Sequence, residues 1–159
     1  MNQISQSCCF TGHRFVPKNQ KMSLVLKLKR NIKELYAVEG ITTFYTGGAL
    51  GWDTLAAMAV IELRHELPDL RLVMVIPCRD QADRWNATDR ELYERLKASA
   101  DEVVCLAEHY YDGCMFERNR YLVEHSSICV SYQTKQSGGT AYTVRYAREK
   151  GLKIINLAE

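Results

Sequence analysis

The sequence predicts an α/β fold: one domain, residues 1–159, built as a three-layer sandwich with helices on both faces of a mostly parallel sheet of about six strands. Three observations predict it. Short apolar runs of strand length alternate with longer stretches of helical periodicity along the whole chain. Two strand-to-helix junctions are rich in glycine, Thr46-Gly47-Gly48-Ala49-Leu50-Gly51-Trp52-Asp53 and Ser137-Gly138-Gly139-Thr140. No linker, low-complexity segment or internal repeat divides the 159 residues, which are enough for a sizeable core.

In chain order, Ser7 to Phe10 is a strand that runs at once into Thr11-Gly12-His13-Arg14. Leu24, Leu28, Ile32 and Leu35 then recur at helical spacing among lysines and an arginine, an amphipathic helix that Gly40 stops. Ile41 to Tyr45 is the second strand. After the first glycine turn, Leu55 to Leu63 is apolar nearly all round, so that helix is buried. Pro68 and Asp69 close it, and Leu70 to Ile76 is the central strand. Arg84 to Ser99 reads as a helix with Trp85, Leu92 and Leu96 on its inner side, followed by a strand at Glu102 to Leu106 and a loop at Glu108 to Gly113. Met115 to His125 is a helix and Ile128 to Tyr132 a buried strand. The second glycine turn opens a helix with Ala141, Val144 and Ala147 on one face, Gly151 ends it, and Lys153 to Leu157 is the last strand.

Composition excludes little. An apolar share of 47%, a charged share of 25% and a formal charge of +2 are those of an ordinary soluble domain, with no bias toward nucleic acid or a membrane surface. Six cysteines without C-x-x-C spacing, most of them in apolar runs, are expected as reduced core thiols. The first residues, Met-Asn-Gln-Ile-Ser-Gln-Ser, lack a basic start and a long apolar run, and no stretch reaches spanning length; a cytoplasmic protein without membrane contact is expected.

In a parallel sheet of this kind, the turns after the strands gather at one edge, where ligands bind. The unusual residues fall on those turns: Gly12, His13 and Arg14, then Gly47, Gly48, Gly51 and Asp53, then Arg118 and Asn119 early in a helix, then Gly138, Gly139 and Thr140. A glycine turn at a helix start leaves backbone N–H groups and the positive end of the helix dipole available to an anion. Arginines can neutralise phosphate, and Asn119 can hydrogen-bond a base or ribose. Each has an ordinary alternative: a surface arginine paired with Glu117 or Glu124, Asp53 as a helix cap, Thr140 as a hydroxyl cap, His13 as a loop residue. Trp85 is expected in the core, and Tyr132, at a strand end, is placed to stack on a base. Neither turn has the G-x-G-x-x-G or the G-x-x-x-x-G-K-[ST] spacing, and no metal-ligand spacing occurs, so no metal and no obligatory cofactor are expected.

Taken together, T-G-H-R, T-G-G-A-L-G-W-D, I-P-C-x-x-Q-x-x-x-W at Ile76 to Trp85, M-x-x-R-N at Met115 to Asn119 and G-G-T-A-Y-T at Gly138 to Thr143 resemble the YpsA-like family of uncharacterised bacterial proteins, across essentially the whole chain. That family lies in the Rossmann-like SLOG superfamily with the DNA-processing protein DprA and the LOG-type phosphoribohydrolases. The resemblance implies a Rossmann-like fold and a nucleotide-type ligand, such as an ADP-ribose or NAD-like molecule, bound for sensing or regulation. It also implies pairing into a homo-oligomer as an option.

Two further readings follow from the same resemblance. LOG-type enzymes cleave the N-glycosidic bond of nucleoside monophosphates with an arginine in M-x-x-R-K and a glutamate after P-G-G-x-G-T. Met115 and Arg118 match the first motif, with Asn119 in place of lysine; Tyr142, Thr143, Val144 and Arg145 stand where the glutamate would be. Glu149 lies roughly 13 Å further along the helix, out of reach. Hydrolysis would therefore need Asp53, Asp112 or Glu117 as a substitute carboxylate. A DprA-like reading rests on Gly47 to Asp53 and would need a basic track for single-stranded nucleic acid, to which Lys18, Lys21, Lys27, Lys29, Arg30 and Lys33 contribute; such a run is usually a solvated face, and this reading is not favoured.

Overall fold

A computed structural model describes residues 4–158. The leading Met1-Asn2-Gln3 of the N-terminal reading lies outside the described residues. Strands and α-helices alternate: β1 (Ser7–Gly12), α1 (Lys21–Glu39), β2 (Thr43–Thr46), α2 (Trp52–Leu63), β3 (Arg71–Ile76), α3 (Ala87–Ser99), β4 (Glu102–Cys105), α4 (Cys114–Glu124), β5 (Ile128–Tyr132), α5 (Gly139–Glu149) and β6 (Lys153–Asn156), with short 3-10 turns at Ile4–Gln6 and Lys18–Gln20. The six strands form one sheet in the order β4-β3-β2-β1-β5-β6, and every ladder is parallel, so the expected mostly parallel sheet is wholly so.

Strand alternation sorts the core into two halves. Cys8, Phe10, Leu72, Met74, Ile76, Ile128 and Val130 face one side, packed by α1, α2 and the inner face of α3. Cys9, Val73, Val75 and Cys129 face the other, where Leu122 and Val123 of α4 and Ala147 of α5 cover them. The α2 helix is buried along most of its length, as its all-round apolar sequence requires. All six cysteines are free thiols. Helix α3 starts at Ala87 and not at Arg84, because Asn86 Oδ1 accepts the Asp89 N–H at 2.8 Å and sets the cap there; residues 79–84 are turns. Among the described residues no helix is long and apolar enough to cross a membrane.

The chain winds outward from β1 to β4, then returns through α4 to β5 on the opposite side of β1. The order therefore reverses between β1 and β5. The two strand ends diverge into different loops there, and that crevice is where an open parallel sheet takes its ligands.

Candidate functional site

A cleft of about 1560 Å³ opens above the carboxyl ends of the strands, on the reversal between β1 and β5. Its floor is an aromatic stack. The Tyr132 ring lies on Trp52 at 5.3 Å and 21°, and the His13 ring meets Tyr132 edge-on at 5.7 Å. Tyr132 is 5% exposed and its hydroxyl donates to Gln20 Oε1 at 3.2 Å, so it is a packed floor residue and not the free stacking platform expected from its strand end. His13 joins the two sides of the reversal: its Nε2 accepts the Thr134 backbone N–H at 2.9 Å. That bond requires Nε2 unprotonated, and partial burial together with the nearby Lys135 ammonium lowers the His13 pKa below its ordinary value.

Arg118 reaches the cleft from the second turn of α4, yet is only 6% exposed. Its guanidinium donates to the Gly47 carbonyl and, through Nε, to Asn119 Oδ1 at 2.8 Å; it pairs with neither Glu117 nor Glu124. Asp53 sits close by, equally buried, and its carboxylate accepts the Ala49 N–H at 3.2 Å. It is therefore no N-cap: it stands one residue inside α2, whose cap is Gly51. Burial pushes the Asp53 pKa up, opposed by the Arg118 charge and by N–H groups of Ala49 and Gly47; burial lowers that of Arg118, opposed by Asp53. The pair places a cation, charge-compensated from below, in the cleft floor.

The first glycine turn is closed. A Cβ on Gly47 would stand 2.5 Å from Arg118 Nη1 and 2.8 Å from Asp53 Oδ2; one on Gly48 would press on Ile76, Met74 and Tyr93; one on Gly51 would collide with the carbonyls of Arg14 and His13. Gly12 is likewise filled, by the Trp52 side chain. The Trp52 N–H, first in α2, already donates to the His13 carbonyl at 3.1 Å. Gly47, Gly48 and Gly51 do not line the cleft, which corrects the expectation that they would face a ligand. Close approach of protein to protein uses them up.

The second turn is open. Nothing lies within 4 Å of a Cβ on Gly138 or Gly139, both exposed and both lining the cleft. No side chain caps α5; Tyr142 is the first residue whose N–H closes onto Gly138, at 3.0 Å, so the N–H groups before it point out of the helix end. Thr140 lines the cleft, buried, without capping the helix. Around the rim stand Arg14, Arg84 and Lys135, none of which has a hydrogen-bond or ion-pair partner for its side chain among the described residues. Sequence reasoning missed Lys135. Its place between β5 and the glycine pair was the available signal.

Of the substitute carboxylates, only Asp53 lines the cleft; Glu117 is exposed beside a separate shallow hollow and takes the Tyr111 hydroxyl, and Asp112 is exposed outside the cleft. Cys78 lines the cleft, but burial and the neighbouring Asp80 push its thiol up to about 12, so it stays protonated. The lysine face of α1 is partly consumed: Lys29 pairs with Glu62, Lys33 with Glu66, and Lys27 donates to the Leu157 carbonyl.

A family model described as the YspA SLOG family matches residues 8–155. The chain belongs to that family. Within the curated proteins, the chain is similar to the uncharacterized SPbeta prophage-derived protein YoqJ of Bacillus subtilis (strain 168), with 29% identity over 145 residues, 81% of this chain and 85% of that protein. A UPF0398 protein of Bacillus pumilus is 31% identical over 112 residues, 69% of this chain and 60% of its own length. Among solved structures, DNA processing protein A from Helicobacter pylori superimposes with a TM-score of 0.66 at 19% identity over 95% of this chain and 64% of that one. At that identity the likeness shows a shared fold. The chain thus spans less than two thirds of two of these three relatives.

Proposed function

We propose that this SLOG-family chain binds a nucleotide or nucleotide-derived ligand of the ADP-ribose or NAD-like kind at the β1/β5 reversal, in a sensing or regulatory role in the cytoplasm. One observation carries the reading: the uncapped start of α5, bare at Gly138 and Gly139, opens into the same cleft as the buried Arg118 guanidinium and the unpaired Arg14 and Lys135. Backbone N–H groups at a helix start with converging cations match phosphate oxygens in geometry and charge. Asn119, oriented by Arg118 through its Oδ1, keeps its side-chain N–H groups for a ribose or base.

The experiment is a thermal-shift series with nucleoside monophosphates, NAD and ADP-ribose, each mixture then assayed for free base. A bound ligand at a hundred times its dissociation constant stabilises the fold by about 2.7 kcal/mol, a shift of several degrees. Lys135→Ala, at an exposed position, removes part of that shift. A series silent for every nucleotide sinks the reading.

A second reading, nucleoside monophosphate hydrolysis, rests on Asp53, the carboxylate held beside Arg118 in the cleft floor with its pKa raised by burial. Free base in the assay, lost in Asp53→Asn, supports it. The single-stranded nucleic-acid reading has support from the fold shared with DNA processing protein A. It has less from the surface, where Lys29 and Lys33 of α1 are engaged with carboxylates.

A further inference from the structure

The far end of the cleft, on the loops after β3 and β4, is built differently from the α5 end. It carries aromatic rings on fixed supports. Tyr110 is 58% exposed and lines the cleft, while its backbone N–H is anchored on Asp80 Oδ1 at 3.0 Å. The two loops are tied together by the Arg79 N–H on the Ala107 carbonyl at 2.9 Å and by the Arg79–Glu108 ion pair at 3.2 Å. Trp85, half-buried, also lines the cleft and meets Tyr93 edge-on at 5.1 Å; the Tyr93 hydroxyl takes Gln81 Nε2 at 3.2 Å. Neighbouring Tyr111 is spoken for, its hydroxyl on Glu117, whereas Tyr110 has a held backbone and an unengaged ring. Arg84, which also lines the cleft, has no hydrogen-bond or ion-pair partner for its side chain among the described residues.

The spacing supplies a second argument. Strands β5 and β3 are three places apart in the sheet, about 14 Å at ~4.8 Å per strand. That distance exceeds the reach from phosphate to base of a single mononucleotide. The cleft volume of about 1560 Å³ is also more than the roughly 300–1,000 Å³ typical of one small-molecule site. A phosphate seated at α5 leaves the aromatic end empty unless the ligand continues.

We infer that Tyr110 and Trp85 form a subsite for a planar nucleobase ring, so that the cleft takes an elongated ligand with its phosphate at the start of α5 and its base on the β3 and β4 loops. Arg84 serves a second phosphate or the ring face. This rests on the nucleotide reading above.

Calorimetry with two probes separates the two ideas: ADP-ribose, which carries a base, and ribose 5-phosphate, which does not. Tyr110→Ala weakens ADP-ribose at least about fivefold, the range of base stacking on an aromatic side chain, and leaves ribose 5-phosphate unchanged. Tyr110→Phe keeps ADP-ribose affinity near wild type, and an unchanged melting temperature in both variants confirms an intact fold. ADP-ribose binding that is indifferent to Tyr110→Ala overturns the aromatic subsite while leaving the nucleotide reading standing. Equal losses for both probes overturn it as well. If neither probe binds the wild-type protein, the subsite and the reading beneath it fall together.

Discussion

The turn between β2 and α2 and the turn between β5 and α5 share a Gly-Gly pair and the same sheet edge, yet a methyl group added to each would meet opposite surroundings. At Gly47, Gly48 and Gly51 it meets side chains and carbonyls of the protein; at Gly138 and Gly139 it meets nothing within 4 Å. The α2 start is closed by the His13 carbonyl and by Asp53 within its first turn, the α5 start by no side chain. One turn uses glycine to let β1, α2 and α4 come together under the cleft. The other uses it to keep a helix end bare. A glycine-rich helix start is therefore an anion site only where the protein has not already filled it.

The largest effect is expected where the closed turn is breached. Gly51 has φ 78° and backbone carbonyls against its Cβ position, so Gly51→Ala combines left-handed strain with overpacking and costs about 2–6 kcal/mol, read from denaturant midpoints. A cost below about 1 kcal/mol would mean that the β1 loop yields, and the contrast between the turns would lose its basis. Next in size is Arg118→Ala, which strands the Asp53 carboxylate and the Gly47 carbonyl in the interior: about 3–5 kcal/mol of stability is lost. Adding Asp53→Asn to it recovers part of that loss, because the uncompensated charge is gone. If the double variant is as unstable as the sum of the singles, the two residues are not a functional pair. Arg118→Ala alone is for the same reason a poor probe of ligand binding.

The alternation of strand and helix was legible because it is written locally: period-2 and period-3.6 apolar patterns and the punctuation of Gly40, Pro68 and Gly151 each act within a few residues. Strand order was not, since the placing of β5 beside β1, on the side away from β2, depends on contacts more than a hundred residues apart. In the site, the residue types were legible and their use was not. Gly47 and Gly138 look alike in sequence, because close packing and anion access both ask for a missing side chain. Arg118 read alone looks like a surface arginine; only the passage of α4 beneath the sheet edge buries it against Gly47. Tyr132 went into the floor because Trp52, eighty residues earlier, supplies the ring it stacks on.

A smaller and more selective effect is expected at the open turn. Gly139 has no left-handed φ and open space around it, so Gly139→Ala leaves stability unchanged or raises it by up to about 1 kcal/mol through helix propensity. Ligand-induced stabilisation should nevertheless fall, since the added methyl stands where phosphate oxygens would approach. Loss of stability with intact ligand response would reverse the assignment of the two turns.

The smallest effect concerns how the open turn is held. His13 links it to β1 by accepting the Thr134 N–H, a bond that the neutral ring makes and the imidazolium cannot. Its folded pKa is lowered, by burial first and Lys135 second, so the unfolded chain takes up the proton more readily. The stabilisation is therefore complete above the unfolded value of about 6.5 and is lost as pH falls below it. Amide exchange at Thr134, corrected for the intrinsic rate, should show protection falling between about pH 7 and 5.5 in the wild-type protein and a flat, low protection in His13→Ala. The β2–α2 turn, which takes the His13 carbonyl and not its ring, should keep the protection of the Trp52 amide throughout. Parallel loss at both amides would mean that the two turns open as one unit, and that the closed turn is closed only while the open one is tethered.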